Sequence, residues 1–99
     1  MRVVAVYREN AEMGSEVKEY IREFEARTGK VIDEMNPDTT EGQIFCEARD
    51  IMIYPSFVAV DDAGRVIDRW TGDMLPRINE MSFYAATKED AKRPEVAEG

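Results

Sequence analysis

One thiol and two adjacent carboxylate pairs hold most of the reactive chemistry open to this chain: Cys46, Asp33-Glu34 and Asp61-Asp62. Cys46 is the only cysteine in 99 residues, so it cannot close a bridge within the chain. A thiol acts as nucleophile or redox centre through its thiolate, which needs a cation or a helix N-terminus beside it. In "EGQIFCEARD" the basic residue in reach is Arg49, one helical turn further on. Two readings follow: a small, semi-buried packing side chain, which the sparse basic surroundings favour, and a reactive thiol serving as sensor, resolving cysteine or mixed-disulfide partner. The carboxylate pairs lack calcium-loop spacing and adjoin turn signals, so they read as turn chemistry and solvated surface, with no metal site. There is no histidine. That removes the commonest general base, the Ser-His and Cys-His nucleophile pairs and the usual transition-metal ligand, and no catalytic residue is expected.

Charge narrows the partners. Thirteen Lys and Arg stand against 21 Asp and Glu, for a net charge of −8, whereas nucleic-acid affinity is built from cations neutralising phosphates. Neither a nucleic acid nor an anionic membrane surface is an expected partner. No apolar run has the length of a transmembrane helix, and "MRVVAVYR" is too short an apolar opening for a signal peptide, so the expected location is cytoplasmic. A chain of this length makes one domain able to bury a modest core without a metal or disulfide staple.

The elements that must position these residues follow from apolar spacing. "RVVAVY", residues 2–7, is a β-branched run whose continuous apolarity predicts a central strand buried on both faces. Val17, Tyr20, Ile21 and Phe24 then recur at helical spacing, with Gly29 as a C-terminal stop. "KVIDEM" predicts a second strand, and "NPDTT" a turn in which Asp38, Thr39 or Thr40 caps a helix. That helix has an expected stripe of Ile44, Phe45, Ala48 and Ile51, weakened by Gly42. "SFVAV" and "RVIDRW" around "DDAG" predict a hairpin. Met74, Leu75, Ile78, Met81 and Phe83 outline a last short helix with Pro76 in its first turn. The domain is expected to span 1–84, and 85–99, dense in charge and poor in large apolar residues, to be a disordered tail. The predicted fold class is α/β, ordered β-α-β-α-β-β-α, with a four-stranded mixed sheet and helices on both faces.

Within "IYPSF", Pro55 sits where a proline is tolerated, at the first residue of a strand. This proline, the strand "FVAV", the Gly64 turn, "RVIDRW" and Gly72 together resemble the thioredoxin-like family over residues 2–84. The resemblance implies a cis Tyr54-Pro55 bond beside the family's active site. It also implies a C-x-x-C or C-x-x-S motif at the start of the first helix, and counting from Tyr7 puts "EMGS", Glu12, Met13, Gly14 and Ser15, in that place. The tryptophan and buried acid that thioredoxins carry nearby are matched by Ala11 and Val6.

A carboxylate is not a redox centre, and Ser15 without a base is not an activated nucleophile. Glu12 and Ser15 suit a helix start, the one favouring the positive end of the dipole and the other satisfying orphan N–H groups. What the resemblance leaves is a groove in which the residue before the cis-proline pairs with an extended peptide. Here its residues would be Tyr54, Pro55, Trp70, Gly72 and Met74, with Tyr7 and Met13, although a strand tryptophan such as Trp70 more often packs. The expectation is a redox-inactive thioredoxin-fold module that binds a protein or peptide and uses no cofactor. Two alternatives stand beside it. One is a degenerate thiol-disulfide or glutathione-dependent activity using Cys46, to which "TGDM", 71–74, lends a distant likeness; the other is a structural homodimer subunit.

Overall fold

The computed structural model describes residues 1–72 and 74–89. Along the chain come β1 (Arg2–Val6), α1 (Gly14–Thr28), β2 (Lys30–Val31), β3 (Asp33–Met35), α2 (Thr40–Ala48), β4 (Ser56–Val60), β5 (Val66–Thr71), α3 (Ile78–Tyr84) and β6 (Ala86–Thr87). Four strands form one sheet in the spatial order β3-β1-β4-β5. β1 is parallel to β3 and antiparallel to β4, and β4 is antiparallel to β5, so the sheet is mixed as expected.

Strand alternation divides the core in two. Val3 and Ala5 of β1 with Phe57 and Ala59 of β4 pack against Val17, Ile21 and Phe24 of α1 and Met81 of α3. Val4, Val6, Val58 and Val60 point the other way, to Cys46 of α2 and to Ile51. Both faces of β1 and β4 are therefore covered, which is why their sequences run apolar without a break.

α1 buries the face that its spacing predicts and ends at Gly29, whose φ of 73° admits the left-handed cap and whose N–H donates to the Glu25 carbonyl at 3.0 Å. α2 starts as expected at a threonine: Thr39 Oγ1 accepts from the Gly42 N–H at 2.9 Å. Its buried side differs from the predicted stripe. Gly42 and Cys46 are its buried residues, Ala48 is exposed and Ile44 is 63% exposed. Gly42 is a contact rather than a weakness, since a Cβ there would lie 1.9 Å from the Asn36 carbonyl oxygen.

"KVIDEM" forms two strands, not one. Lys30–Val31 turn away to pair with Ala86–Thr87 in a separate two-stranded sheet, Ile32 is buried at the corner, and only Asp33–Met35 join β1. Lys30 Nζ reaches the Ser82 carbonyl at 2.8 Å and fastens the same corner. The expected boundary at residue 84 is thus too early, because β6 belongs to the folded body; residues 90–99 of the expected tail lie outside the described residues. Pro76 precedes α3 and is buried, instead of occupying its first turn.

Two arginines close the α2–β4 connection. Arg49 donates to the carbonyls of Phe45 and Gly64 at 3.0 and 3.1 Å, with its guanidinium 3.9 Å over the Phe45 ring. Arg69 of β5 donates to the carbonyls of Arg49 and Asp50 at 2.8 and 3.3 Å. Carbonyls at the end of a helix have no intrahelical partner, and these donors supply one. Among the described residues no helix is long and apolar enough to cross a membrane.

Candidate functional site

The strand directions select one end of the sheet. β1, β3 and β5 run together and β4 runs against them, so the segments after β1, after β3, before β4 and after β5 meet there. A groove of about 370 Å³ opens at that end, lined on the β1–α1 side by Tyr7, Arg8, Glu16 and the turn 11–14, and by Tyr54 and Pro55. The Tyr54-Pro55 peptide is cis. The Pro55 carbonyl accepts from the Gly72 N–H at 3.0 Å, which ties the loop after β5 to the start of β4.

Close backbone packing shapes the β1–α1 wall. Gly14 begins α1 with the chain folded tightly on it, for a Cβ there would meet the Glu9 carbonyl oxygen at 2.1 Å. Arg8 follows β1 and Asp38 follows β3, so the parallel pair brings them together: Arg8 Nε and Nη2 donate to Asp38 Oδ2 and Oδ1 at 2.8 and 3.0 Å. The hydrogen bond from Arg8 holds the Asp38 carboxyl below its usual range. The same guanidinium lies 5.0 Å from the centre of the Tyr54 ring. Tyr7 donates its hydroxyl to Glu34 at 2.8 Å, and the Tyr54 hydroxyl donates to the Ile51 carbonyl at 3.3 Å.

The residues expected around the groove divide. Glu12, Met13, Gly14, Tyr54 and Pro55 line it, with Tyr7 and Ala11, and Gly72 bonds to Pro55 from behind. Ser15 does not line it. It lies exposed inside α1, whose N-cap is Met13 without a side-chain cap bond, so the expected capping role of Ser15 is corrected. Trp70 also falls outside. Standing opposite Phe57 in the β4–β5 register, it turns toward α3 and meets Tyr84 edge-on at 5.4 Å. Met74 is 83% exposed and away from the groove lining. Cys46 is 4% exposed and packs with Val6, Ile51 and Val58 on the α2 side. Among the described residues no three His, Cys, Asp or Glu side chains are gathered as a metal would need.

Arg8 and Glu16 complete the lining and were not anticipated there. The signal for Arg8 is its place one residue past an apolar strand, at a strand's carboxyl end where such sheets hold their sites. Glu16 lies in the first turn of α1, two residues past Gly14.

All four phenols are held above their ordinary value. Burial pushes Tyr20 up to about 12, and its hydroxyl is buried without a partner among the described residues. Burial leads at Tyr7 and Tyr54 too, while at Tyr84 the hydrogen bond to Asp68 comes first. A phenol whose pKa is higher folded than unfolded contributes stability that is complete below the unfolded value of about 10 and lost as pH rises through the folded one. Urea denaturation is therefore expected to show stability falling between pH 10 and about 12. Tyr20→Phe is expected to be neutral or mildly stabilising at pH 8, since no hydrogen bond is lost, and to flatten part of that fall.

No protein-family model matches the chain, and no curated protein sequence matches it. Among solved structures it is similar to thioredoxin 1 from the thermophilic eubacterium Thermosipho africanus TCF52B, with a TM-score of 0.60 at 11% identity, covering 100% of each chain. At that identity the likeness is one of fold, and the fold is thioredoxin-like.

Proposed function

We propose that this thioredoxin-like fold is a redox-inactive binding module that docks an extended protein or peptide segment beside Tyr54 and Pro55. It acts without a cofactor, in the cytoplasm. The observation that carries this reading is the backbone of Tyr54, whose N–H and C=O have no hydrogen-bond partner among the described residues although they stand at the edge of a formed groove. An added strand supplies both bonds at once, and side chains along the groove then set which segment fits.

Thiol chemistry at the start of α1 needs a thiolate there, and the chain has Glu12 instead. Its one thiol, Cys46, is in the core on the α2 side.

Titration of ¹⁵N-labelled protein with an acetylated, amidated hexapeptide alternating valine and threonine is expected to move the amides of 11–16, 54 and 72. Shifts confined to other surfaces overturn the groove. A disulfide-reduction assay is expected to show no turnover, and turnover that vanishes in Cys46→Ser would overturn redox inactivity.

A further inference from the structure

Charge in the groove is unbalanced. Glu12, in the turn before α1, and Glu16, in its first turn, both line it, and neither carboxylate has an ion pair or hydrogen bond among the described residues. The one cation in the lining, Arg8, is already held by both oxygens of Asp38. Neighbouring Glu9 is paired with Lys18 at 3.2 Å, so the uncompensated charge is concentrated on these two glutamates. The lining also includes the apolar Met13 and Pro55 with Tyr54. A net charge of −8 adds a long-range attraction for cations.

Resting on the groove reading above, we infer that the occupant is a basic extended segment in which lysine or arginine alternates with apolar side chains. Alternation follows from pairing with Tyr54, because successive side chains of a strand point to opposite sides. One set of side chains meets Met13, Tyr54 and Pro55, and the cations meet Glu12 and Glu16. Two partly exposed charge pairs are expected to strengthen binding by roughly three- to thirtyfold.

The test uses three acetylated, amidated hexapeptides, alternating valine with lysine, threonine or glutamate, titrated onto ¹⁵N-labelled protein at low and at raised salt. The lysine peptide is expected to bind tightest and the glutamate peptide weakest, all through the amides around 54, with the lysine advantage shrinking as salt screens it. Glu12→Gln with Glu16→Gln is expected to remove that advantage, while Glu41→Gln with Glu47→Gln, at exposed sites on α2, leaves it in place. Equal affinity for the lysine and threonine peptides, or equal effects of the two double variants, overturns the basic-segment inference and leaves the groove standing. No peptide moving the amides around 54 overturns the groove reading, and this inference with it.

Discussion

Phe57→Ala is expected to destabilise the protein by about 3–5 kcal/mol, the loss of a buried aromatic plus the cavity it leaves. Phe57 is 1% exposed, at the middle of the sheet on β4, between Ala5 of β1 and Trp70 of β5 in the strand register. Its ring meets Tyr20 of α1 edge-on at 5.2 Å, so one side chain joins the sheet to its largest helix. A domain of this size has about 5–15 kcal/mol in total. The variant should therefore lose about a fifth or more of its stability, seen by circular dichroism as a midpoint lower by roughly 4–8 °C for each kcal/mol. A loss under about 1 kcal/mol would mean that Phe57 is not in the core.

Gly42→Ala separates two opposed effects by sign. On helix propensity alone, alanine inside α2 would stabilise by up to about 1 kcal/mol. The structure puts a Cβ at Gly42 1.9 Å from the Asn36 carbonyl oxygen and 3.0 Å from Pro37 Cα, both backbone atoms that cannot swing aside. Overpacking of this kind costs about 1–3 kcal/mol or more, so clash wins and the variant is expected to be less stable by urea denaturation. An unchanged or raised midpoint would overturn the close seating of α2 on the loop after β3.

Gly42 also shows why some of the fold could be read from residue types and some could not. β1 and β4 were legible because two-sided burial demands apolar residues at every position, and the β-branched runs supply them. Thr39 and Gly29 were legible because a cap is local chemistry. The buried face of α2 was not. Periodicity counts large apolar side chains, whereas α2 approaches its neighbours so closely that a glycine and a cysteine face inward and Ile44 is left outside. The division of "KVIDEM" depended on a partner, Ala86–Thr87, more than fifty residues away in a stretch too polar to look like a strand. At the groove, Tyr54, Pro55, Glu12 and Met13 were readable through the family resemblance, but Arg8 required knowing that β1 and β3 are parallel neighbours. Trp70 was drawn in by its aromatic ring, and strand alternation took it to the other side.

The arginine pair at the α2–β4 connection bears on how a partner would be received. With Arg49 bonded to the carbonyls of Phe45 and Gly64, and Arg69 to those of Arg49 and Asp50, the start of the segment leading to Tyr54 is held in the folded protein. Immobilising a residue's backbone costs about 1–2 kcal/mol, and where folding has already met that cost, association does not meet it again. Rigid-body docking with little rearrangement is the expected mode. Because Arg69 belongs to β5, at the sheet's outer edge, readiness to bind is coupled to the integrity of that edge strand. Fraying there would loosen the Tyr54 segment without altering a residue that lines the groove.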